Sequence, residues 1–355
     1  MLSQPPAEAD ELEALVVSYC FDLGEPGEPH SASVRLTGRR AGVQGLRSPH
    51  DEFAQEDKID GIVPGTGPVS VTSWIYGLNP GEWTVKAELL VPDDDRRQDS
   101  PLEARLIHPA EWSWRRWTLS AGSPGPLQTR WARLAPLAWT PGVVPGSWPV
   151  LGALAVLVAL VTLAAILATE RAAVGLSIVV FLIALASGMA AAKGWYAVLH
   201  PGPWRQALLG GWAVDGFLIV APLVAIATLL AFNLPVGTVL DAAAPGLFFG
   251  VAIGRVGCFL TGCCAGRISR GRWSVWSSDR RIGARRIPAQ LLESAAGLIL
   301  GLAAALLVLD HPGHVSGAVF VGALGVYLVI RQALLRVRAE RREFSWRRRI
   351  PLHWA

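Results

Sequence analysis

The residues best suited to chemistry are an arginine and its glycine neighbours near the end of an apolar run. Arg255 stands between Gly254 and Gly257, and Cys258 follows at a spacing that shares the same helix face. An arginine left unpaired in lipid is costly, so Arg255 is expected to face a polar cavity, a headgroup or a counter-charge. Guanidinium donors match phosphate oxygens, and glycines let a ligand approach the backbone closely. The stretch therefore predicts a phosphate-binding site, and a snorkelling arginine at a helix end is the structural alternative.

Arginines also crowd two other parts of the chain. Residues 261–288 hold seven arginines against one aspartate, and the tail from Arg331 onward holds eight against two glutamates. Short basic loops are held in the cytoplasm, so this charge bias predicts that both termini and residues 261–288 are cytoplasmic. Because these arginines flank apolar runs, anionic lipid headgroups are the expected partner and nucleic acid is not.

The elements that must position these residues are mostly apolar helices. The chain has 355 residues, 52% hydrophobic and 17% charged, which is too apolar for two ordinary soluble domains. After Pro149 the apolar runs reach about twenty residues, the length that a helix needs to cross a bilayer. The predicted spans are residues 149–168, 173–192, 212–232, 239–258, 289–309 and 315–335. The sequence therefore predicts an α-helical polytopic membrane bundle over residues 149–336, followed by a basic tail at 337–355.

The first part of the chain predicts an all-β domain. Short alternating runs at residues 14–21, 31–36, 69–76 and 83–91 are separated by Pro, Gly and Asp. Residues 77–85 resemble the Leu-x-Pro-Gly corner of fibronectin type III domains. Residues 1–92 are therefore predicted to be a fibronectin III/Ig-like sandwich. No basic segment with an apolar core begins the chain, so no cleaved signal peptide is expected.

Residues 93–148 are rich in Pro, Arg and Trp and are predicted to be a linker near the membrane. Tryptophans favour the headgroup layer, so this segment could lie along the membrane before the first span. Alternatively, some of them fill the core of the β-sandwich. The tryptophans concerned are Trp112, Trp114, Trp117, Trp131, Trp139 and Trp148.

The stretch around Arg255 also resembles a known family, the phosphatidylglycerol:prolipoprotein diacylglyceryl transferases. The family signature begins Gly-Arg-x-Gly and ends Gly-Arg, as residues 254–257 and 266–267 do. Residues 288–293 (PAQLLE) resemble the family's His-Pro-x-Gln-Leu-Tyr-Glu, and residues 191–196 are a looser match to Gly-Ala-Arg-x-x-Tyr. The resemblance covers about residues 150–336 and leaves the β-domain, and any partner of it, unexplained.

The resemblance implies a multi-pass enzyme of a bacterial-type plasma membrane. Such an enzyme moves a diacylglyceryl group from phosphatidylglycerol, or a similar anionic phospholipid, to the cysteine thiol of a prolipoprotein, giving a thioether and glycerol phosphate. The thiol needs deprotonation and the departing phosphate needs cations. No cofactor is expected.

Roles for individual residues follow from this resemblance. The expected catalytic residues are Asp215 as base, Arg255 and Arg331 as cations, and Glu293 as the residue that orients an arginine. Asp215 and Arg331 are expected to share one cavity with Arg255. The expected substrate-binding residues are Gly254, Gly257, Cys258, Arg267, Arg286 and Gln290.

Several positions depart from the family pattern. The replacements are Asp215 for a histidine, Cys258 for an asparagine, Ile287 for a histidine, Leu292 for a tyrosine and Tyr327 for a late-helix arginine. A catalytically degenerate phospholipid- or lipoprotein-binding membrane protein is therefore the alternative function. A third is a membrane-anchored module whose work is done by the β-domain.

Two further points bear on the site and its location. Cys258, Cys263 and Cys264 could supply three thiolates, but no second cysteine pair or nearby histidine completes a zinc set, so no metal is expected. Small apolar packing at a helix end is the alternative for this cluster. The family resemblance implies that residues 261–288 lie outside the cytoplasm, which is opposite to the charge bias.

Overall fold

The structure, a computed structural model, divides into two compact units. Its described residues are 13–46, 48–91, 103–170, 173–199, 212–310 and 315–339. The first unit, here the β-unit, comprises Met1–Val150, Arg255–Leu292 and Ala333–Ala355. The second, here the helical unit, comprises Leu151–Gly254 and Glu293–Gln332. The basic tail is described only as far as residue 339.

Two antiparallel sheets make up the described part of the β-unit. The strands are β1 Glu13–Phe21, β2 His30–Arg40, β3 Glu52–Ile62, β4 Val69–Leu78, β5 Glu82–Val91, β6 Glu103–Leu106, β7 His108–Ser113, β8 Thr118–Ala121, β9 Leu127–Gln128, β10 Arg130–Trp131, β11 Val275–Ser278 and β12 Ile282–Arg286. One sheet has the order β11-β12-β4-β1-β7-β8 with β10 beside β1, and the other has the order β3-β2-β5-β6 with β9 beside β5. Apolar side chains of both sheets, including Leu15, Leu36 and Trp83, share one core.

The all-β character predicted for the start of the chain is confirmed. The four predicted strands correspond to β1, β2, β4 and β5, and β3 is an additional strand. Trp83, placed at the corner by the fibronectin-like turn, is fully buried and donates its indole N–H to the carbonyl oxygen of Asn79 at 3.2 Å. The finer assignment to the fibronectin III or Ig type stays a prediction.

The segment expected to be a linker, residues 93–148, contributes strands to both sheets. From residue 103 onward it forms β6 to β10. Two of its tryptophans pack against other parts of the β-unit: Trp112 lies 4.5 Å from Trp276, and Trp117 stacks on Phe259 at 5.7 Å between ring centroids. These strands are only two to six residues long, so their own residues show little alternation. Trp131, Trp139 and Trp148 remain substantially exposed.

The arginine-rich loop within residues 261–288 is also part of a sheet. Its two strands, β11 and β12, form a hairpin, and β12 pairs with β4 through Ile282 opposite Val71 and Gly283 opposite Ser70. Ala284 of the hairpin is fully buried in the core, and Trp276 packs with Cys20 and Leu119. The hairpin therefore extends the sheet formed by the first part of the chain.

Six helices in the described residues correspond to the six predicted spans. They are α1 Ser147–Thr169, α2 Val174–Leu199, α3 Val214–Ala231, α4 Val236–Thr261, α5 Ala289–Asp310 and α6 Ala318–Leu335. Five of them, all but α3, are long and apolar enough to cross a membrane, and α3 is apolar over the shorter stretch Asp215–Ala231. This composition is that of a multi-pass membrane protein.

Small residues allow close packing among these helices. A Cβ atom on Gly246 of α4 would lie 2.5 Å from the carbonyl oxygen of Ala159 in α1. On α5, a Cβ on Gly297 would lie 3.0 Å from the carbonyl oxygen of Phe248 in α4. Helix backbones approach this closely where small residues line the facing surfaces.

Candidate active site

Three polar side chains form a buried cluster in the helical unit. Glu293, in the first turns of α5, is only 1% exposed. Its Oε1 accepts a hydrogen bond from the Tyr327 hydroxyl at 2.7 Å and another from Arg331 Nη1 at 2.8 Å. Tyr327 and Arg331 are one turn apart on α6, so both point to the same face. The ring of Tyr327 also packs against Phe248 of α4, at 5.7 Å between centroids.

The cluster holds a cation in a fixed position among apolar helices. Ionisable groups in such surroundings are costly unless they are paired and hydrogen-bonded, and they commonly mark functional sites. Both hydrogen bonds converge on one carboxylate oxygen, while the Arg331 side chain is 14% exposed. A single bond uses one of the five N–H donors of a guanidinium. The arrangement can therefore orient Arg331 and still offer donors to an anionic ligand.

Arg255 and its neighbours lie in the last turns of α4. Arg255 and Gly254 are partly exposed, and a Cβ added to Gly254 would meet no atom within 4 Å. Gly257 and Cys258 are buried. The space at Gly254 fits the predicted role of a glycine that admits a ligand, and the phosphate site itself stays a prediction.

The three clustered thiols lie close to arginine charges. Hydrogen bonds with Cys258 and Cys263 lower the pKa of the Cys264 thiol, and the charges of Arg338 and Arg255 lower it further. Cys264 also has a backbone φ of 54°, in the left-handed region.

Arg286, expected to bind substrate, instead has internal partners in the loop that precedes α5. Its Nη1 donates to Gly266 O at 3.1 Å, and its Nη2 donates to Asp279 Oδ2 at 2.8 Å and to Ile282 O at 3.1 Å. Burial lowers the pKa of this guanidinium, and the Asp279 charge opposes that shift. With its side chain only 3% exposed, Arg286 has little surface to offer a phosphate. The geometry favours a structural role for Arg286, and its part in substrate binding stays a prediction.

Two other predicted binding residues also contact the loop or the chain after α6. Gln290 is 2% exposed and donates from Nε2 to Cys263 O at 2.8 Å. Arg267 is exposed and donates from Nε to Arg338 O at 3.3 Å. Their part in substrate binding stays a prediction.

The predicted base, Asp215, is exposed and lies in the first turn of α3. The structure brings Arg331 together with Glu293, as the expected orienting role of Glu293 requires. The grouping of Asp215 and Arg331 with Arg255 in one cavity, and the catalytic roles of all four residues, stay predictions.

Two residues that support the cluster or the helix carrying it are not among the predicted site residues. Tyr327 was noted only as a replacement for a family arginine, although its spacing from Arg331 could have suggested a shared face. Asp241, 2% exposed, accepts hydrogen bonds from the backbone N–H groups of Gly317 at 2.6 Å and Phe320 at 2.8 Å. A carboxylate at a helix N-terminus satisfies otherwise unpaired N–H groups, so Asp241 fixes the start of α6.

The fold and this cluster define a polytopic membrane protein with a buried charged group among its spans. A model of the prolipoprotein diacylglyceryl transferase family matches residues 146–350, more than half of the chain, and the chain belongs to this family. The resemblance found in the sequence is therefore confirmed. The strands that precede residue 146 lie outside the matched region.

Curated relatives match shorter parts of the chain. A phosphatidylglycerol–prolipoprotein diacylglyceryl transferase of Dehalococcoides mccartyi is 36% identical over 111 residues, which are 30% of this chain and 41% of the relative. Proteins of the same name from two other strains of that species are 54% identical over 44 residues, 12% of this chain and 16% of each relative. The chain therefore spans less than half the length of these relatives.

Proposed function

We propose that this protein transfers a diacylglyceryl group from phosphatidylglycerol to the cysteine thiol of a prolipoprotein. Membership of the family and the names of the curated relatives support this reaction. The observation that carries it is the hydrogen-bonded cluster of Glu293, Tyr327 and Arg331. It provides an oriented cation within the spans, where a lipid phosphate can reach it.

In the proposed reaction the thiolate sulfur attacks the glyceryl carbon that carries the phosphate. A carbon–sulfur bond forms and the carbon–oxygen bond breaks, so its electron pair leaves with the phosphate oxygen as glycerol phosphate. The thiol proton passes to a base, for which we propose Asp215. Arg331 and Arg255 stabilise the charge that grows on the departing phosphate.

The remaining proposed residues admit and hold the lipid. Gly254, where an added Cβ would meet no atom within 4 Å, leaves room beside Arg255, and the buried Gly257 and Cys258 follow it in α4. Arg267, which is exposed, and Gln290 are proposed to contact the polar end of a substrate. A protein that had kept only lipid binding would hold phosphatidylglycerol without releasing glycerol phosphate, and this is the outcome that would favour the degenerate alternative.

The test is a transfer assay with the purified full chain in vesicles. The vesicles contain either phosphatidylglycerol or phosphatidylcholine alone, and the acceptor is a labelled peptide with one cysteine or the same peptide with serine in its place. We expect thioether formation only with phosphatidylglycerol and the cysteine peptide. Absence of thioether product under all conditions, with phosphatidylglycerol still bound, would contradict the proposed activity.

A matched pair of variants tests the cluster within this assay. Glu293→Gln keeps the acceptor oxygen but removes the charge, and Glu170→Gln makes the same change at an exposed glutamate. A charge-assisted hydrogen bond is stronger than a neutral one by about 1.4 kcal/mol, so the rate of Glu293→Gln should fall about tenfold. Glu170→Gln should keep the wild-type rate. Equal rates for the two variants would remove Glu293 from the mechanism.

The shared sheet supports a proposal about topology. Because β12 pairs with β4, we propose that the β-strands before α1 and the loop between α4 and α5 lie on one membrane face. An even number of crossings must then separate them, so α3 crosses together with α1, α2 and α4. Its 18 residues rise about 27 Å, close to the thickness of the hydrocarbon core.

The arginine content of the loop supports a cytoplasmic face, and with it cytoplasmic termini. Cysteine labelling tests this orientation in a variant that lacks the four native cysteines. The two labelling sites are Leu46→Cys, in the first part of the chain, and Trp273→Cys, in the loop. Both positions are highly exposed. A membrane-impermeant reagent should label both sites only after the cells are permeabilised. Labelling of both in intact cells would reverse the orientation, and labelling of only one would contradict the shared face.

A further inference from the structure

A small cleft in the β-unit lies beside the first residue of α1 and has no part in the reaction proposed above. Its volume is about 130 Å³, enough for several water molecules or a phosphate group. Trp74 of β4 forms one wall, the segment just before α1 forms another, and the loop between α4 and α5 contributes Arg280. The lining residues that matter here are Trp74, Leu137, Thr140, Val143 and Arg280.

Contacts beside the cleft tie it to the ends of two spans. Val144 N donates to Leu260 O at 2.8 Å, and the hydroxyls of Ser147 and Thr261 are 2.7 Å apart. Ser147 is the first residue of α1 and Thr261 is the last of α4. Where membrane helices end, hydrocarbon gives way to lipid headgroups, so the cleft lies at the level of the headgroup phosphates.

Arg280 brings a cation to this cleft without a carboxylate partner among the described residues. Its Nε donates to the backbone oxygen of Thr261 at 2.8 Å, and its backbone φ is 78°, in the left-handed region. Burial lowers the pKa of this guanidinium. A strained backbone that holds a desolvated cation is costly to maintain, and such strain is often retained at ligand sites.

The cleft is also lined by a hydroxyl that lacks a hydrogen-bond partner among the described residues. Thr140 is 4% exposed, and its Oγ1 has no hydrogen-bond partner within the part of the chain that the structure describes. A buried hydroxyl without a partner is unfavourable, and an oxygen acceptor in the cleft would satisfy it. Arg280 and Thr140 are both donors, so the ligand that fits them is an anion with several oxygens.

We propose that this cleft binds the phosphate of an anionic phospholipid, as a site separate from the residues of the transfer reaction. Leu137 and Trp139 are exposed beside it, at 59% and 63%, and such side chains favour the boundary between headgroups and acyl chains. The site would hold an anionic lipid against the strands that precede α1. This proposal depends on insertion of the chain in a membrane and not on its activity, so it can fail or hold independently of the proposed transfer.

The experiment measures lipid binding to the purified full chain in neutral detergent by native mass spectrometry. Phosphatidylglycerol is titrated against phosphatidylcholine, and soluble glycerol phosphate is added in a separate arm. The variants are Arg280→Ala, Arg280→Lys and Thr140→Val, and the matched control is Arg272→Ala, an exposed arginine of the same loop. Thermal unfolding of each variant establishes that it is folded.

We expect the wild type and Arg272→Ala to bind one more phosphatidylglycerol than Arg280→Ala does, or to bind it about tenfold more tightly. Arg280→Lys should bind phosphatidylglycerol more tightly than Arg280→Ala because it keeps the charge. Thr140→Val should lose a smaller part of the affinity than Arg280→Ala does. Phosphatidylcholine should not distinguish the variants. If glycerol phosphate binds as tightly as phosphatidylglycerol does, the ligand is a free phosphate ester and not a membrane lipid. Equal phosphatidylglycerol binding by folded Arg280→Ala and wild type would overturn the site.

Discussion

Two arginine–carboxylate pairs, one in each unit, have the same length but bury opposite partners. In the β-unit, Arg286 is 3% exposed and its partner Asp279 is 34% exposed. In the helical unit, Arg331 is 14% exposed and its partner Glu293 is 1% exposed. Both pairs are 2.8 Å long. In the first pair the cation is enclosed, and in the second the carboxylate is.

We propose that this difference separates a structural arginine, Arg286, from a substrate-binding one, Arg331. Nη1 and Nη2 of Arg286 donate to backbone oxygens of its own loop, whereas its buried Nε has no hydrogen-bond partner among the described residues. The two occupied nitrogens tie Arg286 to the backbone around it. In the other pair, Tyr327 and Arg331 both donate to Glu293, which leaves the guanidinium as the more open member. The sequence shows arginine in both places, and only the partners distinguish the two roles.

Removal of Asp279 should have the largest effect on stability. Asp279→Ala leaves the Arg286 charge buried without its counter-charge, and Asp279 Oδ1 also accepts from the backbone N–H groups of Arg281 and Ile282. Loss of one partner of a buried pair costs about 3–5 kcal/mol, so the free energy of unfolding of the β-unit should fall by about that amount. Asp60→Ala, at an exposed carboxylate that is 73% accessible, is the control and should change little. Chemical denaturation of the full chain, followed by tryptophan fluorescence, measures both, and a similar small change in both would contradict a structural role for Asp279.

Separation of the β11–β12 hairpin from its sheet should have the next largest effect on stability. A Cβ added to Gly283 would lie 2.4 Å from Ser70 Oγ and from the ring of Trp276, so Gly283→Val forces β12 away from β4. Overpacking of this kind costs about 1–3 kcal/mol. Hydrogen exchange of the β12 amides should become faster, whereas Gly125→Val, at a glycine with open space around it, should leave it unchanged. Unchanged protection in Gly283→Val would mean that the pairing does not hold the loop.

Loss of the Tyr327 hydroxyl should have the smallest effect on stability. Tyr327→Phe removes one hydrogen bond to Glu293 but keeps the ring that packs against Phe248. The free energy of unfolding should fall by about 1 kcal/mol, and the transfer rate should fall by less than about tenfold, because Arg331 keeps its own bond to Glu293. A larger loss of rate than in Glu293→Gln would assign the hydroxyl a direct part in the chemistry.

The spans and several strands could be predicted from the sequence because their patterns are local. Apolar runs of bilayer length identify the helices, and alternation identifies β1, β2, β4 and β5. Strand β3 was missed because it lies at the edge of its sheet, where charged side chains point to solvent. The pairing of β11 and β12 with the first part of the chain could not be predicted, since Trp276 and its partner Pro68 are 208 residues apart.

The candidate site was predictable in its residues but not in their partners. Glu293 and Arg331 stand out because ionisable groups are rare in apolar runs. The burial of Arg286 was not predictable, because an arginine in a basic loop resembles its solvated neighbours until the fold supplies Asp279 and the backbone of Gly266. The partial burial of Arg280 was not predictable either, because nothing in the sequence distinguishes it from the other arginines of its loop.

The most direct test of this distinction makes one substitution at each arginine and measures the transfer rate per folded molecule. Arg331→Gln should lower that rate about 10²–10³-fold, as the loss of a group that stabilises developing charge does. Arg286→Gln should lower the midpoint of unfolding of the β-unit and keep the wild-type rate in the molecules that remain folded. An equal loss of rate per folded molecule in both variants, or a wild-type rate in Arg331→Gln, would contradict the division between a structural and a substrate-binding arginine.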